Sequence, residues 1–133
     1  MLITKVEKKE NKFQSALEYL FEYHGVKTAM IIDKEGLVIG CLNRDKIDSE
    51  KFSALMLLIL DQANQLLTRL NELPVYSMVM KNDNSWITIQ RVGDLVLVVR
   101  AAENTDELLK VRIGQAVDMV NNYVKEKYPQ TTR

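Results

Sequence analysis

Asp48-Ser49-Glu50-Lys51-Phe52-Ser53-Ala54-Leu55-Met56-Leu57-Leu58-Ile59-Leu60-Asp61-Gln62-Ala63-Asn64-Gln65-Leu66-Leu67-Thr68-Arg69-Leu70-Asn71 is the stretch from which the rest of the chain is best read. Its apolar residues recur at helical spacing. A helix lying on one core needs a single apolar stripe about a third of the way round. At ~100° per residue, the arc holding Phe52, Leu55, Met56, Ile59, Leu60, Ala63, Leu66, Leu67 and Leu70 is roughly 140° wide, enough to hold the helix on its own domain. Ala54, Leu57 and Leu58 fall outside that arc, among Lys51, Asp61, Gln62, Gln65 and Arg69. The helix therefore has a second face to bury, and that face points to a partner and not to chemistry. Asp48 or Ser49 caps its start, Glu50 suits its first turn, and Leu73-Pro74 is expected to end it.

Before this helix, Phe13, Ala16, Leu17, Leu20 and Phe21 repeat at helical spacing between Glu10 and His24, with Asn11 as a cap and Gly25 at the left-handed end. Val26 to Ile32 and Leu37 to Cys41 then read as two strands joined by Asp33-Lys34-Glu35-Gly36, a tight turn with Gly at positive φ. Their nearly continuous apolar runs fit strands covered on both faces. After Pro74 come Val75 to Met80, Trp86 to Arg91 and Leu95 to Arg100. Turn-rich Lys81-Asn82-Asp83-Asn84-Ser85 and Gly93-Asp94 link them. Leu95-Val96-Leu97-Val98-Val99 is apolar throughout and belongs in the middle of a sheet. The last helix opens at Asn104-Thr105-Asp106-Glu107, as in a capping box, and buries Leu109, Ile113, Ala116, Val117, Val120 and Val124. Gly114 within it costs ~1 kcal/mol relative to Ala, which suggests close packing against a neighbour. The tail from Pro129 to Arg133 is expected to fray.

The expected fold is α/β of the α+β kind: a five-stranded, mainly antiparallel sheet in the order 2-1-5-4-3. The central helix covers one face and the terminal helices the other. Residues 1–133 are expected to form a single domain, with its core at about 13–124.

The totals exclude several classes of function. Lys+Arg and Asp+Glu balance at zero net charge, so nothing draws the chain to nucleic acid or anionic lipid as a whole. Lys5, Lys8, Lys9 and Lys12 are interleaved with Glu7 and Glu10 and read as a solvated helix start. The aromatics Phe13, Tyr19, Phe21 and Tyr23 sit on a helix, not interleaved with bases across a sheet as in an RNA platform. One cysteine, Cys41, excludes an internal disulfide and fits a reducing compartment. No apolar run approaches the ~20 residues of a spanning helix, and no signal core opens the sequence, so a cytoplasmic protein without membrane insertion is expected. His and Cys pairs at metal-ligand spacing are lacking, as is a phosphate loop ending in Lys-Ser/Thr; no cofactor, metal or catalytic residue is expected. Asp33 is explained by its turn, His24 by the end of a helix, and Cys41 by burial beside a strand. Trp86 is read first as a packing residue. Arg44, Arg69, Arg91 and Arg100 each could face a partner's carboxylate or a phosphate, and the sequence does not choose among them.

Taken jointly, Gly25-Val26 through Ala29-Met30-Ile31-Ile32-Asp33-Lys34-Glu35-Gly36-Leu37-Val38-Ile39, the long helix after Asp48, Val92-Gly93-Asp94-Leu95-Val96-Leu97-Val98-Val99 and Ile113-Gly114 resemble the Roadblock (dynein light chain) domain family over roughly Phe13 to Val124. The resemblance implies a homodimer, or a pair with a paralogous Roadblock protein, made through the central helix and third strand. In this sequence those elements offer Ala54, Leu57, Leu58, Asp61 and Gln65, with Val75, Tyr76, Ser77 and Met78. The polar Lys51, Gln62 and Arg69 beside them are the expected contacts to a further partner. It also implies a non-catalytic regulator or adaptor of a small Ras-like GTPase, activating it, if at all, without an active site of its own. The alternative is a scaffold subunit of a larger complex with no effect on GTP hydrolysis. Burying four leucines across a two-fold contributes about 6–12 kcal/mol against an association cost of about 4–15 kcal/mol. An added edge-strand pairing is therefore needed to settle the dimer.

Overall fold

Apolar runs, turn formers and helical spacing fold into eight elements in a computed structural model that describes residues 11–102 and 107–127. They are α1 (Asn11–Phe21), β1 (Val26–Asp33), β2 (Val38–Asn43), α2 (Ser49–Arg69), β3 (Ser77–Lys81), β4 (Ser85–Val92), β5 (Leu95–Ala102) and α3 (Glu107–Lys127). The strands form one sheet in the order β2-β1-β5-β4-β3, every neighbouring pair antiparallel. The expected order holds. The proposed cap Asn104, the lysines before residue 11 and the tail lie outside the described residues.

Alternation along the central strands divides the core into two layers. Ala29 and Ile31 of β1 and Leu97, Val99 and Ala101 of β5 point to α1 and α3, where they meet Leu17, Leu20, Leu109, Ile113, Ala116 and Val120. Met30, Ile32, Val96, Val98 and Ile89 point the other way, onto Met56 and Leu60 of α2. So the central helix does cover one face and the terminal helices the other. Trp86 is buried beneath α1 and α3, as a packing residue. In the β1–β2 turn, Asp33 Oδ1 accepts from Glu35 N at 2.9 Å and Leu37 N at 3.0 Å, while Gly36 takes φ +89°. That is the turn chemistry the spacing implied.

Several boundaries differ from expectation, each for a local reason. The strand expected from Val75 begins at Ser77, because Val75 N donates to the Asn64 side chain at 2.7 Å before the ladder starts. Helix α2 stops at Arg69, well before Pro74. Asn71 takes φ +59°, Asn71 N donates to Thr68 O at 3.0 Å, and Glu72 N donates to Leu67 O at 2.8 Å. That pair of bonds is a Schellman closure with Asn in the left-handed place. At its other end Asp48, not Ser49, is the cap, accepting from Glu50 N and Lys51 N. Helix α1 ends at Phe21 and not at Gly25, so exposed His24 lies three residues beyond it.

Gly114 corrects a packing inference. It lies on the exposed side of α3, and a β-carbon placed there would meet no atom within 4 Å. Among the described residues no neighbour requires the glycine. We expect Gly114→Ala to stabilise the fold by about 0.5–1 kcal/mol by restoring helix propensity. Thermal unfolding followed by circular dichroism would show a rise of about 2–4 °C; a fall would mean that something packs there.

Candidate protein-interaction surface

Helix α2 is set on the sheet by residues of two kinds. Met56 and Leu60 are buried, and beside them lies Ser53, whose hydroxyl donates to Gly36 O at 3.1 Å and Glu50 O at 2.9 Å. Leu57 is half-buried; a β-carbon on Gly36 would lie 3.1 Å from its Cδ2. Asn64 is half-buried and ties the helix to Val75. The inward face therefore runs through Ser53, Met56, Leu57, Leu60 and Asn64. Its centre is turned about 80° from that of the stripe read by hydropathy, taking ~100° per residue.

That rotation changes what the helix shows to solvent. Leu55, Leu66 and Leu70, expected to be inward, are 48%, 59% and 60% exposed, and Leu58 is 54% exposed. Ala54, Asp61 and Gln65 are exposed as expected, as are Lys51, Gln62 and Arg69. Leu57 is the member of the expected set that the structure turns inward. Single exposed leucines are ordinary on a protein surface. Three on one side of one helix, Leu55, Leu58 and Leu66, form a patch of the kind that marks a contact.

Among the described residues strand β3 borders the sheet and pairs with β4 alone. Its far edge carries unpaired backbone donors and acceptors, which template pairing with another chain. Met78 and Met80 lean toward the α2 layer, while Ser77, Val79 and Lys81 are exposed on the opposite face. Val75 is half-buried and Tyr76 exposed; both precede the strand. Arg91 of β4 places its guanidinium 6.0 Å from the Tyr76 ring centre.

Among the described residues no group of three or more His, Cys, Asp or Glu could hold a metal ion. Burial pushes the Cys41 thiol up from its ordinary value, only partly offset by a hydrogen bond with the Asn43 side chain, which keeps it a poor nucleophile near neutral pH. Two of the four candidate arginines are used inside the fold. Arg44 Nε donates to Val26 O at 2.8 Å, and its guanidinium stacks 4.1 Å from the Phe21 ring centre. Arg100 Nε donates to Thr28 Oγ1 at 3.2 Å and its Nη2 pairs with Asp45, holding the Asp45 carboxyl below the usual range. Arg69 and Arg91 remain exposed. A cleft of about 210 Å³ opens between α2 and the β4–β5 turn, lined by Leu60, Asp61, Asn64, Arg91 and Asp94 among others. Among the described residues no helix is long and apolar enough to cross a membrane.

The Roadblock/LC7 domain family matches residues 12–101. No curated protein matches the sequence. Solved structures with the same fold include Myxococcus xanthus MglB, at 20% identity and TM-score 0.80, with 86% of this chain and 96% of that chain covered. Another is the gliding protein mglB from Thermus thermophilus, at 16% identity and TM-score 0.78, covering 87% and 90%. A third, described as MglB with tetrameric arrangement, shows 18% identity and TM-score 0.74, covering 86% and 91%.

Proposed function

We propose a function from one premise: this chain belongs to the Roadblock/LC7 domain family. It works as a non-catalytic, cytoplasmic homodimer that binds a small Ras-like GTPase and modulates its nucleotide cycle. The observation that carries this reading is the exposed leucine stripe of α2 on the same molecule as the unpaired β3 edge. A helix stripe and a free strand edge suit protein contacts, and a two-fold repeats both. The tetrameric arrangement of one MglB structure supports self-association of this fold. Exposed Lys51 and Arg69, which flank the stripe, are left to meet the GTPase. Regulation then acts by ordering the GTPase's switch loops, a population shift without donated chemistry.

The test is direct. The purified protein, added to a small Ras-like GTPase encoded near it, is expected to bind it and to change its rate of nucleotide exchange or hydrolysis. If neither rate moves and no GTPase is retained, the regulatory reading fails. Retention with both rates unchanged favours the scaffold alternative.

A further inference from the structure

Strand β2 is the second edge of the sheet and the less protected one. Among the described residues it pairs with β1 alone. Sheet edges are commonly blunted by charged residues, proline or a bulge. Val38-Ile39-Gly40-Cys41-Leu42-Asn43 carries no charge and no proline, and its register shift lies at one end, beside Ile39. From Gly40 to Asn43 the ladder is regular. Arg44 N donates to Lys27 O at 2.8 Å. By the alternation of antiparallel pairs, Leu42 and Gly40 then bond β1, while Cys41 and Asn43 turn their N–H and C=O outward. All six side chains are half-buried. Val38 and Cys41 lean on the α2 layer, and Ile39 and Leu42 on the layer of α1 and α3. What stays uncovered borders the place of a missing neighbour strand. The strand is also held in position: a β-carbon on Gly40 would lie 2.9 Å from Leu17 Cδ1, so α1 rests directly on it. An incoming chain therefore meets a preformed template.

We propose that the β2 edge takes up an extended segment of another protein, antiparallel to β2 along Gly40 to Asn43, apolar at alternate residues and acidic at its N-terminal end. The edge itself selects the shape. Outward donors and acceptors at every second residue are satisfied together by an added strand and by no helix. The antiparallel direction matches every other pair in the sheet and is the more stable pairing. The flanks select the composition. Leu42, Cys41 and, beyond the bulge, the 64% exposed Leu37 offer apolar contact along the edge. Charge gathers at the Asn43 end, where Lys27 sits near the start of β1 and exposed Lys46 follows β2. Asp45 between them is already paired with Arg100. That end is left positive, and an antiparallel segment brings its N-terminal residues there, so acidic groups in those places complement it. This docking does not rest on self-association, which draws on the opposite edge of the sheet.

Amide hydrogen exchange, read by NMR on the full chain, tests the docking. The probe is the blocked peptide acetyl-Asp-Asp-Val-Thr-Val-Thr-Val-amide. In the free protein the Cys41 and Asn43 amides are expected to exchange fast and those of Gly40 and Leu42 slowly. Saturating peptide is expected to slow Cys41 and Asn43 by about tenfold or more and to leave the β3 amides unchanged. Lys-Lys in place of Asp-Asp should weaken binding. N-methylation of alternate peptide residues should abolish binding in one phase and spare it in the other, because every second peptide N–H faces β2. Cys41→Pro removes an outward N–H and no ladder bond, so it is expected to fold and to lose the peptide. The N-methyl series carries the test without altering the protein, should that variant unfold. Absence of protection at Cys41 and Asn43 with millimolar peptide, or equal binding of both N-methyl phases, overturns the proposal. Protection that is present without peptide and grows with protein concentration makes the occupant a second copy, and overturns it equally.

Discussion

Leu58→Glu is expected to yield a folded monomer. The side chain is more than half exposed in the single chain, so its replacement removes little of the core. Glutamate is at least as good in a helix as most residues, and surface changes of this kind usually move stability by no more than ~0.5 kcal/mol. In a two-fold seam the same change acts twice. It removes two leucines from the contact and places two carboxylates there without a compensating charge. A loss of about 3–5 kcal/mol in association follows from uncompensated burial of charge, which is roughly a hundred- to several-thousand-fold in Kd. Light scattering should report a monomer across the micromolar range while the far-ultraviolet spectrum survives. Persistence of the dimer would remove α2 from the interface. Leu57→Glu is the informative contrast: its side chain packs by Gly36, so it should lower thermal stability as well.

The difference between those adjacent leucines marks where the sequence could be read and where it could not. The sheet was legible because Ala29 to Ile32 of β1 and Leu95 to Val99 of β5 are apolar throughout and the Asp33–Gly36 turn carries its own chemistry. The direction in which α2 faces was not. Hydropathy assigns Ser53 and Asn64 to solvent, yet each has a backbone partner inside the fold: Ser53 bonds Gly36 O and Glu50 O, and Asn64 bonds Val75 N. Polar groups satisfied in this way can be buried at little net cost. With those two residues turned inward, Leu57 follows them in, and Leu55 and Leu66 are carried out. Pairing with residues distant in sequence decided the rotation, and a pattern of single residues does not contain it. At Asn71 the closure of α2 is local instead, with Asn71 N on Thr68 O and Glu72 N on Leu67 O, and it leaves Pro74 no part in ending the helix. Gly114 is the reverse case, a residue with a local cost and no contact among the described residues to explain it.

The arginines carry this lesson to function. Arg44, Arg100 and Arg112 all point to the protein's own carbonyls, hydroxyls or carboxylates. Arg112 Nη1 donates to Tyr19 O at 2.8 Å, and its guanidinium lies 4.7 Å from the Tyr19 ring centre, which fastens α3 to α1. A surface that binds a partner through charge is thereby narrowed to the cations that stay exposed. Lys51 and Arg69 sit beside the α2 stripe, and Arg91 stands by Tyr76 near the start of the β3 edge. These two regions, suited to contact a partner, thus each carry an exposed cation, whereas Arg44, Arg100 and Arg112 are spent on the fold.

Arg44→Ala should therefore cost stability and spare binding. Helix α1 ends at Phe21, and its last carbonyls have no partner of their own within the helix. The Arg44 guanidinium reaches them from the end of β2, donating to Phe21 O and, at 3.4 Å, to Tyr23 O, while Nε holds Val26 O. One side chain thus joins the end of α1, the start of β1 and the end of β2. Bonds from a charged donor contribute about 1.5–3 kcal/mol and a stacked guanidinium about 0.5–1 kcal/mol. A loss of about 2–4 kcal/mol is expected, or roughly 7–14 °C in Tm for a chain of this size. Arg44→Lys should recover less than half of it, because an ammonium is a single point charge and cannot span three carbonyls as the planar fork does. Self-association, measured well below the transition, should be unchanged in both variants. A normal Tm together with lost partner binding would return Arg44 to the surface as a recognition residue.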